Sequence, residues 1–183
     1  ACERALAHGT RLQDVIAMVA RFRERDTTTP VVLMGYLNPI ELMGHRRFAS
    51  EARAAGVDGV LTVDLPPEEM DDLSSALADA ALAPIFLVAP TTTEARMQRI
   101  CSVADGFVYY VSLKGVTGSA ALDSTALVDR IQTLKRMTGL PVGVGFGIGT
   151  PEQAADVSRI ADAVVVGSAL VRRIESHVDD PQA

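Results

Sequence analysis

Six short apolar runs recur along this chain of 183 residues, starting near positions 31, 57, 84, 106, 141 and 162, and each is followed by a segment of helical periodicity. The runs cover about 30–37, 57–63, 84–89, 106–111, 141–145 and 163–166. They are apolar almost throughout rather than alternating, which is the pattern of strands covered on both faces in a parallel sheet. Seven helices are predicted. The first, 10–25, carries Leu12, Val15, Ile16, Val19 and Phe22 at helical spacing, with Thr10 and Gln13 as a capping box. The others are expected near 47–55, from 68, near 94–103, near 124–137, from 151 and from 168, with Gly56 and Gly139 as stops. Two architectures accommodate this alternation, an open doubly wound sheet and a (β/α) barrel. No Gly-x-Gly-x-x-Gly follows the first strand, which argues against a dinucleotide-binding sheet. Asn38, Asp64, Thr91, Ser112, Gly145 and Ser168 instead place a polar or minimal residue after every strand, as a barrel does when its site is built from all the strand ends. A full eight-unit barrel takes about 250 residues. The expectation is therefore one incomplete (β/α)8 domain over 1–183, with about six βα units and its first strands outside the chain.

Residues 140–168 are the most informative stretch. Pro141-Val142-Gly143-Val144-Gly145 reads as a buried strand and runs into the bare turn Gly145-Phe146-Gly147-Ile148-Gly149. Thr150-Pro151-Glu152-Gln153 then has the signature of a capped helix start. A second strand, Ala163-Val164-Val165-Val166, ends in Gly167-Ser168 where another helix begins. Two consecutive strand ends thus present backbone N–H groups unobstructed by side chains, and a helix N-terminus adds partial positive charge. That combination suits a phosphate. Either glycine cluster alone would be explained by tight turns.

Composition narrows the alternatives. A net charge of −6 and the lack of a basic run exclude a nucleic-acid surface. No apolar stretch is long enough to span a bilayer, and Ala1 opens no signal peptide. Cys2 and Cys101 are isolated and lack metal spacing, so two reduced thiols in a cytoplasmic protein are expected. His8, His45 and His177 are scattered, and no metal site is anticipated.

The motifs, taken in order, resemble the alpha subunit of tryptophan synthase over nearly the whole chain. The matching strings are Val32-Leu-Met-Gly-Tyr-Leu-Asn-Pro39, Gly56-Val-Asp-Gly-Val-Leu-Thr-Val-Asp-Leu-Pro-Pro-Glu-Glu69 and Ala83-Pro-Ile-Phe-Leu-Val-Ala-Pro-Thr-Thr92. Gly106-Phe-Val-Tyr-Tyr-Val-Ser-Leu-Lys-Gly-Val-Thr-Gly118 is the most specific, and Gly145-Phe-Gly-Ile148 and Val166-Gly-Ser-Ala169 complete the set. The resemblance implies a (β/α)8 barrel that cleaves indole-3-glycerol phosphate to indole and glyceraldehyde 3-phosphate in tryptophan biosynthesis. It implies no cofactor on this chain and a beta partner that carries pyridoxal phosphate.

Residue by residue, the resemblance puts a phosphate cradle on Gly145, Phe146, Gly147, Gly167 and Ser168, with Gly118 from a long loop at 112–119 read as a lid. It puts an apolar indole slot on Leu33, Leu61, Val63, Leu87 and Val165, the active-site tyrosine on Tyr109 and the lid threonine on Thr117. Asn38 and Asp64 fall where the family meets its beta partner; Asp64 also reads as a polar N-cap ahead of Pro66. The family's two catalytic carboxylates, a Glu and an Asp, are expected upstream of Ala1, and its C-terminal helix beyond the last residue. Glu68 and Glu69 open a helix and are not promoted to acid or base. Two rivals accompany this reading. One is another phosphate-binding barrel such as a sugar-phosphate epimerase, which the string from Tyr109 to Gly118 disfavours. The other is a truncated, non-catalytic barrel that binds phosphate or a beta-type partner.

Overall fold

The computed structural model describes residues 2–66, 68–112, 124–145 and 147–178. Its contacts divide the chain into two compact units: residues up to Phe86 with Val103–Gly106, and Leu87–Ser102 with everything from Phe107 on.

The first unit contains α1 (Cys2–Ala7), α2 (Leu12–Arg23), β1 (Val32–Gly35), α3 (Leu37–Met43), α4 (His45–Ala55), β2 (Gly59–Thr62), α5 (Asp71–Asp79) and the start of β3 (Ala83–Val88). Strands β1, β2 and β3 pair in parallel, Leu33 with Val60 and Leu61 with Ile85. Their helix-side face packs against α2, α4 and α5 through Ile16, Val19, Phe48, Ala52, Val60, Leu73 and Leu77, all buried. Phe48 alone contributes about 1.5–3 kcal/mol of burial. Gly56 ends α4 at φ +90°, where a side chain would also collide with Arg23.

The second unit contains α6 (Glu94–Cys101), β4 (Val108–Val111), α7 (Ser124–Thr138), β5 (Val142–Gly145), α8 (Pro151–Ser158), β6 (Ala163–Val165) and α9 (Ser168–Glu175). Parallel pairing sets Tyr109 beside Gly143, Val111 beside Gly145, and Gly145 beside Val165. Val108, Tyr110, Val142 and Val144 alternate with these and are buried, as are Met97, Ile100, Ile131 and Leu134 on α6 and α7.

Both units lock the start of a strand by the same device. Asp58, just before β2, accepts the Val31 N–H and the Arg23 guanidinium of α2, both at 2.7 Å. Asp162, just before β6, accepts the Val142 N–H and the Lys135 ammonium of α7, both at 2.8 Å. A carboxylate thereby satisfies the N–H at the start of the preceding strand and ties it to the helix before that strand. At the corresponding position before β4, Asp105 has only Pro84 opposite, which has no N–H, and bonds to the Gly106 N–H instead.

The helices differ from expectation in four places. Two short ones, α1 and α3, join the seven predicted among the described residues; Asn38 and Pro39 lie in the first turn of α3 rather than in a loop. Helix α2 starts at Leu12, so Thr10 and Gln13 form no capping box. The Arg11 N–H donates to Asp14 Oδ2 at 2.8 Å. Helix α5 starts at Asp71 rather than Glu68. Asp64 does not cap the helix that follows it: its Oδ1 accepts the Leu37 N–H at 2.8 Å and so caps α3. At α2 a nearer carboxylate, Asp14, took the N–H, and at α3 a partner distant in sequence, Asp64, did so.

Candidate functional site

The ends of β5 and β6 lead into two helices whose N-termini differ in kind. Helix α8 consumes its own N–H groups. Gln153 Oε1 accepts from Gly149 N at 2.8 Å and Thr150 N at 3.2 Å, Thr150 Oγ1 accepts from Gln153 N, and Pro151 has no N–H to offer. Glu152 adds a negative charge in the same turn, its carboxyl held below the usual range by its own backbone N–H and then by the Thr150 hydroxyl. An external anion would find this terminus filled and repulsive.

Helix α9 is the reverse. No side chain caps it at Gly167, and its first turn carries no acid. Among the described residues, the N–H groups of Ser168, Ala169 and Leu170 donate no hydrogen bond. A Cβ placed on Gly167 would enter open space. Three donors, the end of a helix dipole and an unfilled volume therefore coincide at the C-terminal end of β6. Gly147, in the turn after β5, has φ +76°, a backbone state that a side chain would strain.

Gly145 has a different explanation from the one its motif implies. It lies within β5, fully buried, and a Cβ there would strike the Tyr109 hydroxyl, come within 2.9 Å of Tyr109 Cζ and within 2.8 Å of Val165 Cβ. The Tyr109 ring lies across this glycine toward Val165, while the Phe107 ring lies 3.3 Å from where a Gly143 Cβ would be. The glycines of β5 are grooves for aromatic rings. Tyr109 is only 8% exposed, and burial pushes its hydroxyl pKa above the ordinary phenol value.

The remaining predicted residues divide by unit. In the first, Leu61 is buried and Val63, just past β2, is partly exposed. Leu33 packs into the helix-side core beside Val60, so it does not share a face with Leu61. Met34, the register partner of Leu61 and 60% exposed, holds the place on that face that the motif reading gave to Leu33. Period-two alternation along β1 carried the signal that would have found it. Asn38 and Asp64 are exposed and joined through α3, with Tyr36 and Leu42 also exposed there. In the second unit, Leu87 is half-buried between buried Phe86 and Val88 of its strand, and Val165 is half-buried beside Gly145. Thr117, Gly118, Phe146 and most of the predicted lid lie outside the described residues.

A shallow cleft of about 500 Å³ opens elsewhere, among α3, α4 and α5, lined by Glu41, His45, Arg47, Asp72 and Asp79. It holds none of the predicted site residues, and His45 is paired with Glu41 at 2.9 Å. Among the described residues no cluster of His, Cys, Asp and Glu is placed to hold a metal, and no helix is long and apolar enough to cross a membrane.

Parallel βα units, with an uncapped helix N-terminus where β6 meets α9, are those of an α/β protein of the (β/α)8-barrel type. The comparisons with known proteins agree and are more specific. The family model described as tryptophan synthase alpha chain matches residues 1–183. The tryptophan synthase alpha chain of Thioalkalivibrio sulfidiphilus is 61% identical over 183 residues, which are 100% of this chain and 69% of that one. Its counterpart in Alkalilimnicola ehrlichii is 60% identical over 182 residues, 100% of this chain and 66% of that one. Among solved structures, the tryptophan synthase alpha subunit of Legionella pneumophila matches with a TM-score of 0.88 at 46% identity, covering 99% of this chain and 66% of that one. The tryptophan synthase α2β2 complex of Pyrococcus furiosus matches with a TM-score of 0.86 at 39% identity, covering 96% and 71%. The chain belongs to the tryptophan synthase alpha chain family, and it spans about two thirds of the length of the curated relatives it matches.

Proposed function

We propose that this chain supplies the substrate-holding part of a carbon–carbon lyase of tryptophan biosynthesis, which cleaves indole-3-glycerol phosphate to indole and glyceraldehyde 3-phosphate in the cytoplasm. The observation that carries the reading is the contrast between the self-capped α8 and the open α9. The phosphate is taken by the N–H groups of Ser168 and its neighbours, with Gly147 and Gly167 leaving room for its oxygens. Apolar side chains of the second unit take the indole ring, Tyr109, Leu87 and Val165 among them.

Cleavage requires a proton delivered to the departing ring carbon and a base for the side-chain hydroxyl. The residues of this chain act before that step. They fix the phosphate, and through it the position of the ring, so that remote binding energy is spent on orienting the reacting carbon. The exposed surface around Asn38, Asp64, Tyr36 and Leu42 receives a beta-type partner carrying pyridoxal phosphate. Asp64 serves this surface by capping α3, which keeps the strand end after β2 and the helix after β1 in one arrangement.

Calorimetric titration with glycerol 3-phosphate tests the phosphate seat. Gly147→Val should weaken binding at least about tenfold, since its backbone state excludes a branched side chain. Ser168→Asp should do the same while raising thermal stability, because an acid in the first turn stabilises a helix yet repels a second anion. Unchanged affinity in both variants would refute the reading.

A further inference from the structure

Two arginines of this chain are bonded in opposite ways. Arg23 in the first unit spends every nitrogen: Nε donates to the Gly56 carbonyl, Nη1 to those of Asp26 and Thr29, and Nη2 to the Asp58 carboxylate. Arg130 on α7 of the second unit is half-buried, and its one hydrogen bond among the described residues runs from Nη2 to the Thr92 carbonyl. Its Nε is buried without a partner among those residues. Thr92 belongs to the turn at the C-terminal end of β3. It closes that turn itself: its N–H donates to the Ala89 carbonyl and its hydroxyl accepts the Ala89 N–H, both at 2.9 Å. Leu87 lies two residues before Ala89 on β3. The Arg130 charge also reaches the back of β4. Burial pushes the Tyr110 hydroxyl above the ordinary phenol range, and Arg130 opposes that shift. Tyr110 and Tyr109 are successive strand residues and point to opposite faces. One guanidinium thus serves both the turn behind Leu87 and the strand that carries Tyr109.

From this placement we infer that Arg130 is a positioning residue for the ring slot: it holds the turn at 89–92 to α7 and so fixes Leu87 in the slot that it shares with Tyr109. The inference rests on the ring-binding reading above. Stability does not explain this arginine. Burying a cation beside an unpaired N–H costs solvation, and an apolar side chain of similar length would fill the same place without that cost. Position does explain it. Turns at strand ends are the more mobile parts of such a scaffold, and a charge-assisted hydrogen bond from a helix is a strong local tether. The tether acts on the ring and not on the phosphate, since it ends on the β3 turn and makes no hydrogen bond to the β5 and β6 turns.

The test is a calorimetric titration of the 183-residue chain with 3-(indol-3-yl)propyl phosphate, which is the substrate without its hydroxyls, and in parallel with glycerol 3-phosphate, which lacks the ring. Arg130→Met should lose about fivefold or more in affinity for the ring-bearing ligand, a fraction of the worth of one buried apolar contact, and stay within about twofold for glycerol 3-phosphate. Its Tm should be unchanged or higher, an outcome that a merely structural role would not give. Arg130→Lys, which can still donate to the Thr92 carbonyl, should recover part of the ring affinity. Arg136→Met, the same change on α7 at an arginine bonded only to Thr133 among the described residues, should stay within about twofold for both ligands. Unchanged ring affinity in Arg130→Met, with a parent that gains affinity from the ring, would overturn the inference and leave the ring slot standing. An Arg130→Met chain that loses both ligands alike, or fails to fold, would make the residue a structural one and overturn the inference too. A parent that gains nothing from the ring would overturn both the inference and the slot.

Discussion

Replacing Gly145 by Ala is the sharpest test of how β5 is built. The added methyl would lie inside the contact distance of the Tyr109 hydroxyl, 2.9 Å from Tyr109 Cζ and 2.8 Å from Val165 Cβ, all closer than side-chain carbons approach. Tyr109 is 8% exposed and sits on a strand that pairs with β5, so its ring cannot yield without disturbing a buried row. Overpacking of this kind costs about 1–3 kcal/mol. The backbone of Gly145 is not left-handed, so no strain is added, and the loss of unfolded-state freedom returns about 0.4–1 kcal/mol. The net is a destabilisation of about 1–2 kcal/mol, or a fall in Tm of about 2–8 °C for a chain of this size. Near-UV circular dichroism is the assay of choice: the chain has 3 Tyr and no Trp, so the 280 nm band reports the packing of Tyr109 and Tyr110 with little interference. Gly35→Ala, where a Cβ meets nothing within 4 Å, is the control and should stay within about 0.5 kcal/mol. In a Tyr109→Leu background the cost of Gly145→Ala should fall by about half or more, since only the Val165 contact remains. An unaltered tyrosine band with unchanged Tm, or an equal cost in both backgrounds, would refute the account of Gly145 as a seat for Tyr109.

Other outcomes follow from the charges and caps. The Lys135 ammonium and then the Val142 N–H hold the Asp162 carboxyl below the usual carboxylate range. The native state therefore binds its proton less readily than the unfolded chain. The stabilisation is complete above about pH 4 and is lost as pH falls through the lower folded value. Its size is about 1 kcal/mol, because the pair is partly open to solvent. Asp162→Asn should flatten the acid limb of stability measured between pH 5 and 2, and an unchanged limb would argue against the clamp. Gln153→Leu, which frees the Gly149 and Thr150 N–H groups, should cost about 1 kcal/mol in urea unfolding.

The sequence alone determined the order of the six strands and of seven of the helices, and the glycine turns at two strand ends. Strands apolar on both faces, helical periodicity between them and glycine at the β5 and β6 ends are local properties, set by side-chain size and backbone freedom at each position, and they survive in any packing of the chain. The Thr150–Gln153 cap was legible for the same reason, since all its atoms lie within one turn. The tertiary structure decided what depends on neighbours distant in sequence. It assigned Asp64 to α3, Asp58 to Val31 and Asp162 to Val142, because a carboxylate takes whichever unpaired N–H folding brings near. It separated Leu33 from Leu61 and put Met34 in its place: alternation along β1 sets the two on opposite faces, and packing against the helices decided which face Leu33 takes. It also divided the two glycine turns that look alike in sequence. Both precede helices, but α8 spends its N–H groups on its own side chains while α9 keeps them open.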